Sequence, residues 1–213
     1  IISDAMRYEV GRSLFEKLQA DAKCTASISA MQSVLPSYTK FGMAALLPHN
    51  TIEVLPDSRT LADGKPTDDI KQREAVLQAA NPDSRCVKYD DIKSMNVSAL
   101  RDVFTGQNVV YVYHDQIDAR GDHASTENEV FNACEEAVEE IYFLVRKLTS
   151  SANTIHYIIT ADHGFIYKRD KLSESDKISG IPDADRRYAL TDRDVQGEGV
   201  ASLPFSSIIG ADD

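Results

Sequence analysis

Apolar and polar positions along this chain fall into alternating blocks with two periods. Residues 155–161 form a short, mostly apolar and β-branched run, which predicts a strand buried on both faces. Residues 108–113, Asn-Val-Val-Tyr-Val-Tyr, predict a second buried strand, and residues 1–3 read as the end of a third. Shorter strands are predicted at 51–55 and 85–89, an extended segment or strand over 24–35, and an edge strand over 200–209. Helical spacing fills the intervals. Val10, Leu14, Phe15 and Leu18 share a face within 6–20, residues 40–47 form a short apolar helix stopped by Pro48, and 97–104 form another. Residues 67–80 open on the cap signal Thr67-Asp68-Asp69, and Thr126-x-x-Glu129 is a capping box that opens a long helix to about Leu148. On that helix Val130, Phe131, Cys134, Ala137, Val138, Ile141, Leu144, Val145 and Leu148 face one way. Glu135, Glu136, Glu139 and Glu140 predict a solvated face, and Cys134 on the apolar stripe reads as core rather than reactive. Residues 57–66 read as a turn-rich connection and 168–187 as an exposed polar excursion.

Strands alternating with helices predict an α/β fold, a mostly parallel central sheet flanked by helices. All strands of a parallel sheet point their carboxyl ends to one edge. Asp4, the stretch 114–123 and Asp162-His163 each follow a different predicted strand, so they are expected to converge there.

Composition narrows the class. Hydrophobic residues at 42% and charged residues at 27% describe an ordinary globular domain, expected as one unit over 1–213. A net charge of −11 argues against general binding to a phosphate backbone through the overall field. Three cysteines, Cys24, Cys86 and Cys134, lie far apart without a CxxC pair, which fits a reducing cytosol. No apolar run approaches the roughly 20 residues of a membrane span. The chain opens inside a strand, without an initiator Met, and is expected to be a piece of a longer protein, incomplete on its carboxyl side.

The chemistry concentrates at strand ends. Asp162 and His163, side by side after a buried strand, are costly to desolvate unless compensated, and a divalent cation such as zinc or manganese compensates both. Gly164 then allows a tight turn. The bland alternative is an Asp capping a helix beside a surface His. Asp4, between a strand and a helix, has the same two readings. Thr39, or Ser37, is a helix cap or a nucleophile. The stretch His114-Asp115-Gln116-Ile117-Asp118-Ala119-Arg120-Gly121-Asp122-His123 is a solvated loop or a ligand loop, and the matching chemistry at Asp162-His163 favours ligands. Arg7 either contacts a phosphoryl oxygen or pairs with Glu9.

Ile-Ile-Ser-Asp-Ala-Met-Arg-Tyr-Glu at 1–9, Met-Gln-Ser-Val-Leu-Pro-Ser-Tyr-Thr at 31–39, Tyr113 through Asp122, and Thr-Ala-Asp-His-Gly at 160–164 together resemble the PglZ domains. These are a branch of the alkaline phosphatase superfamily found in BREX phage-defence systems and in signalling proteins with phosphodiesterase activity. The resemblance implies an alkaline-phosphatase-like fold and a two-metal site, usually zinc with manganese or magnesium as alternatives, that transfers phosphoryl groups. It implies Asp4, Thr39, Asp162 and His163 at one metal with Thr39 as nucleophile, and Asp118 and Asp122 at the other. Many members have His at the position of Asp122, and His123 falls one residue beyond it. The distal His-Gly-Gly that would complete the second site has no match here, so one metal is expected to bind firmly and the other weakly. The implied substrate is a phosphoester, nucleotide or nucleic acid among the candidates, and the implied partners are other defence proteins. The alternative function is a metal-binding scaffold that holds protein partners or DNA in a defence complex.

Overall fold

The structure is a computed structural model that describes residues 1–55, 57–121, 129–167, 188–197 and 199–204. Its centre is a parallel sheet in the order β1 (Ile2–Ser3), β6 (Val109–His114), β5 (Ser84–Lys88). Residues 158–160 run parallel to the free side of β1: the Ile1 ammonium donates to Ile158 O, Thr160 N–H to Ile1 O, and Ser3 N–H to Thr160 O. The expected strand over 155–161 is therefore a single bridge at the sheet edge rather than a strand covered on both faces. Ile155 is 70% and Ile158 81% exposed, while Tyr157, Ile159 and Ala161 turn inward. The β-branched composition was read correctly as extended, but a lone run of apolar residues does not say which neighbours cover it.

Alternation along the strands splits the core. Ile2, Cys86 and Tyr113 pack with Met43 of α2 (Thr39–Ala45) and Leu77 of α3 (Ile70–Ala80). Val112 packs with Ile92 of α4 (Tyr89–Ile92), Leu100 of α5 (Val97–Phe104) and Leu144 and Leu148 of α7 (Val130–Ala152). A third cluster joins Leu14 and Leu18 of α1 (Tyr8–Ala20) to Ile117 of α6 (Gln116–Gly121) and to Cys134, Ala137 and Ile141 of α7. Cys134 is core as expected, and burial pushes its thiol pKa up to about 11.

Local signals account for most boundaries. Asp69 caps α3 by accepting from Lys71 N and Gln72 N, and Gln72 reaches back to the Asp69 amide, a complete capping box. Asn96 caps α5 through Ala99 N. The predicted turn region 57–66 holds two short strands instead. β2 (Ile52–Val54), β3 (Thr60–Ala62) and β4 (Lys65–Pro66) form an antiparallel meander whose tight turn uses Gly64 at φ 74°. Residues 24–34 form neither helix nor strand. The strand expected at 200–209 is not formed over 200–204, and 205–209 lie outside the described residues. The excursion 168–187 and the Thr126 capping box also lie outside them.

On α7 one expectation fails and another holds for three of four residues. Phe131 is 51% exposed, with its ring edge against Tyr167 rather than in the core. Glu135, Glu136 and Glu139 are exposed as expected, Glu136 accepting from Arg120 and Gln116 and Glu139 pairing with Lys17, whereas half-buried Glu140 reaches buried His114. No helix among the described residues is long and apolar enough to cross a membrane.

Candidate metal centre

The parallel strands do bring their carboxyl ends together. Asp4 leaves β1, Asp162-His163 leaves the bridge beside it, and all three side chains are buried with one donor atom each within 4.8 Å of the others. Asp4 does not cap α1, whose N-cap is Arg7 without a side-chain bond. Instead Ala5, just after it, sits at φ 61°, a left-handed conformation costing an L residue roughly 1–2 kcal/mol. The turn is secured by Ala5 N–H donating to Asp162 Oδ1 at 3.3 Å. Strain of this kind persists only where the surroundings over-determine it, and here it aims the Asp4 carboxylate at His163.

Three oxygen atoms meet around one nitrogen. His163 Nε2 lies 3.0 Å from Thr39 Oγ1, 3.2 Å from Asp4 Oδ1 and 3.4 Å from Asp162 Oδ2. A tetrahedral cation with bonds of about 2.0–2.1 Å has ligand-to-ligand edges of about 3.3 Å, so the spacing suits such an ion. His163 Nδ1 donates to Gly164 O at 2.9 Å, which leaves the Nε2 lone pair for the cluster once the ring is neutral. Asp4 Oδ1 and Asp162 Oδ2 are buried and accept no well-directed hydrogen bond, which is costly unless a cation is shared between them. These residues fit a divalent metal.

The electrostatics say the same. Burial and the Asp4 charge raise the Asp162 pKa to about 7. Burial opposes the charge on His163, but the Asp4 carboxylate 3.2 Å away and the Asp162 charge outweigh it and lift that pKa to about 9. Without a cation, the neutral-pH site therefore holds protons in place of a metal. A raised carboxyl pKa costs stability once pH exceeds the unfolded value of 3.8, fully so above about 7; the raised imidazole pKa gives stability below 6.5 that is lost through about 9. Both terms weaken the cation-free protein as pH rises. We expect its melting temperature to fall from pH 6 to 9, while zinc affinity rises with pH and levels off above about 9. Thermal melts with and without zinc at each pH check this, and a zinc-induced shift independent of pH would contradict it.

Thr39 is the first residue of α2, and Tyr38 is the N-cap, so the hydroxyl is turned to His163 instead of capping. Ser37 has no such contact with His163. Gly42, one turn on, is a feature the sequence reading missed. A Cβ there would stand 2.4 Å from Asp162 O and 2.8 Å from its carbonyl carbon, so the helix rests directly on the backbone that carries Asp162 and His163. Glycine inside a helix costs roughly 0.5–1 kcal/mol against alanine, and that penalty was the available signal. Backbone cannot rotate away, so Gly42→Ala is expected to cost about 1–3 kcal/mol and to weaken zinc binding, measured by melting and calorimetry. A variant with unaltered zinc affinity would show that α2 can slide without disturbing the ligands. Ser33 supports the same carbonyl, its hydroxyl donating to Asp162 O at 3.0 Å.

The other candidates are placed differently. His114 is not a loop residue but the fully buried end of β6. Residues 116–121 are helical, and Asp118, half-buried on α6, is not among the three clustered ligand groups. Asp115 is exposed, and partial desolvation together with the Asp4 and Asp90 charges raises its pKa. Asp122 and His123 lie outside the described residues. Arg7 takes the ion-pair arrangement with Glu9 and lies over the Phe165 ring at 5.2 Å. Gly164 is not at positive φ; the space a Cβ would need is taken by Arg7 Cγ at 3.1 Å.

The model of the BREX system PglZ alkaline phosphatase-like domain matches residues 1–213. The chain is 40% identical over 214 residues to the alkaline phosphatase-like protein PglZ of Bacillus cereus (strain H3081.97), covering 99% of this chain and 25% of that protein. It is 40% identical over 179 residues to the alkaline phosphatase-like protein BrxZ of Escherichia coli O9:H4 (strain HS), covering 83% of this chain and 20% of that protein. The chain thus spans a quarter or less of the length of these relatives. No solved structure matches it. With the family model covering every residue and the strand-end cluster built from the motifs that carry the resemblance, the chain belongs to the PglZ family of alkaline phosphatase-like domains.

Proposed function

We propose that this domain is a metal-dependent phosphoester hydrolase, acting on phosphomonoesters or diesters through Thr39, within a phage-defence system of the reducing cytosol. The observation that carries the reading is the meeting of Thr39 Oγ1, Asp4 Oδ1 and Asp162 Oδ2 around His163 Nε2. A scaffold that only binds partners has no need of a hydroxyl at that point. Asp4, Asp162 and His163 would hold a zinc ion, with Thr39 beside it, and the ion would supply positive charge and lower the pKa of the Thr39 hydroxyl. Asp118 and Asp122 are proposed for a second metal.

The chain's own part is a two-step displacement. Thr39 Oγ1 attacks phosphorus as its proton leaves to solvent, the bond to the leaving oxygen breaks, and that oxygen departs with its electron pair. Water then attacks phosphorus from the vacated side, the bond to Thr39 breaks, and the hydroxyl is restored. Arg7 is proposed to leave Glu9 and bind non-bridging phosphoryl oxygens, an exchange of one charge-assisted pair for another. Nucleotides or nucleic acid are candidate substrates and other defence proteins candidate partners.

Elemental analysis of the purified chain, combined with a panel of chromogenic phosphate mono- and diesters, tests the proposal. The expected result is bound zinc and turnover that disappears with chelator. A bound divalent ion with no turnover after adding zinc, manganese or magnesium would leave the metal-binding scaffold reading, and absence of any bound ion would overturn both.

A further inference from the structure

Behind the cation site lies a chain of polar groups that supplies none of its donors. Ser3 ends β1, His114 ends β6, and both are fully buried. Ser3 Oγ lies 3.1 Å from His114 Nδ1, and His114 Nε2 lies 2.9 Å from Glu140 Oε2 on α7. A carboxylate only accepts, so Nε2 donates to Glu140, and in the neutral ring Nδ1 accepts from the Ser3 hydroxyl. Tyr89 closes the ring from the side, edge-on with centroids 4.9 Å apart. The order Ser–His–Glu is that of a nucleophilic triad. Its serine and histidine are wholly buried, however, so no substrate reaches the hydroxyl. Its effect must be one of position.

What it positions is the start of the Asp4 turn. Ser3 and His114 are register partners across the parallel pair, and His114 O also accepts the Asp4 amide at 2.7 Å. One residue thus holds the side chain before Asp4 and the backbone of Asp4 itself. Ala5 then enters its left-handed conformation, and Met6 N–H closes the turn on Ser3 O at 3.2 Å. We propose that the Ser3–His114–Glu140 chain, anchored on α7, locks the tips of β1 and β6 so that the strained turn delivers the Asp4 carboxylate to His163. His114 and Glu140 are positioning residues for the cation site, and the inference rests on reading Asp4, Asp162 and His163 as that site.

The test compares Glu140→Ala, Glu140→Gln and Ser3→Ala with the unaltered full chain, using Co2+ alone as probe. Glu140→Ala is expected to weaken Co2+ binding by about 10–100-fold, the usual cost of losing an outer hydrogen-bond partner, and to shift the visible Co2+ bands. It should also speed hydrogen exchange of the Asp4 amide. Glu140→Gln keeps a carbonyl that accepts from Nε2–H and should stay near the unaltered protein in all three measurements. Ser3→Ala, a smaller change, keeps the test open if Glu140→Ala does not fold, and should show the same losses in weaker form. A folded Glu140→Ala with unchanged Co2+ affinity, bands and Asp4 protection overturns the positioning role while the cation site stands. Conversely, if the unaltered chain takes up no Co2+ but Glu140→Ala still unprotects Asp4, the chain does position the turn and the cation reading fails.

Discussion

Asp162→Asn is expected to lose the bound cation and, at pH 8, to melt at a higher temperature than the unaltered protein measured without metal. The two effects have opposite signs because one carboxylate does two things. Asp162 Oδ2 is a buried oxygen without a hydrogen-bond partner, so the amide would remove a proposed ligand and a negative charge together. Affinity should fall by more than the roughly 10–100-fold that an outer partner costs. Without the cation, the same carboxylate is buried beside Asp4, and that burial and repulsion raise its pKa to about 7. At pH 8 it is ionised at a cost to folding that asparagine does not incur. The asparagine carbonyl can still accept from Ala5 N–H, so the turn survives. Calorimetric zinc titration and thermal melts of both forms read the two signs separately. A folded variant with unchanged zinc stoichiometry would remove Asp162 from the site. A lower melting temperature without metal would show that the carboxylate is a structural acceptor first.

How much of this could be read in advance depends on whether the deciding interaction is local. The opening of α3 just after the Thr67-Asp68-Asp69 signal, the limits of α5 and the buried ends at Asp4 and Asp162 follow from spacing and from the one-edge rule of parallel strands. Converging on His163 was legible because the sheet's direction alone brings those residues to one edge. The status of 155–161 was not, since exposure of Ile158 depends on what lies beside it in space. Glu140 looked like its three acidic neighbours, and only its contact with a histidine 26 residues upstream distinguishes it. Gly42 likewise shows nothing in sequence beyond a poor helix former, because its role is set by a backbone 120 positions away. The meander of β2 to β4 was hidden by Asp, Gly and Pro, which mark turns well but also punctuate very short strands.

Thr39→Ala is expected to abolish turnover while leaving fold and zinc affinity nearly intact. The hydroxyl stands 3.0 Å from His163 Nε2, among the donors but on a different element from Asp4 and Asp162. Removing it leaves those two carboxylates and the imidazole in place, and zinc can fill the vacated position with water. Alanine at the first position of α2 is at least as good a helix former, so the melting temperature should change little. Turnover would lose the atom proposed to attack phosphorus, and kcat should drop by at least about a thousandfold with little change in KM, as when an interaction acts only in the transition state. Thr39→Ser restores the oxygen but loses the β-branch that fixes χ1, so partial activity returns. Ser37→Ala should behave like the unaltered protein. The decisive measurement is mass spectrometry of acid-quenched protein turning over a phosphoester, which should find phosphate on Thr39 and none in the alanine variant. Full activity in Thr39→Ala together with loss in Ser37→Ala would move the nucleophile two residues upstream. Loss in neither would mean that water attacks phosphorus directly, and that Thr39 only completes the cation's surroundings.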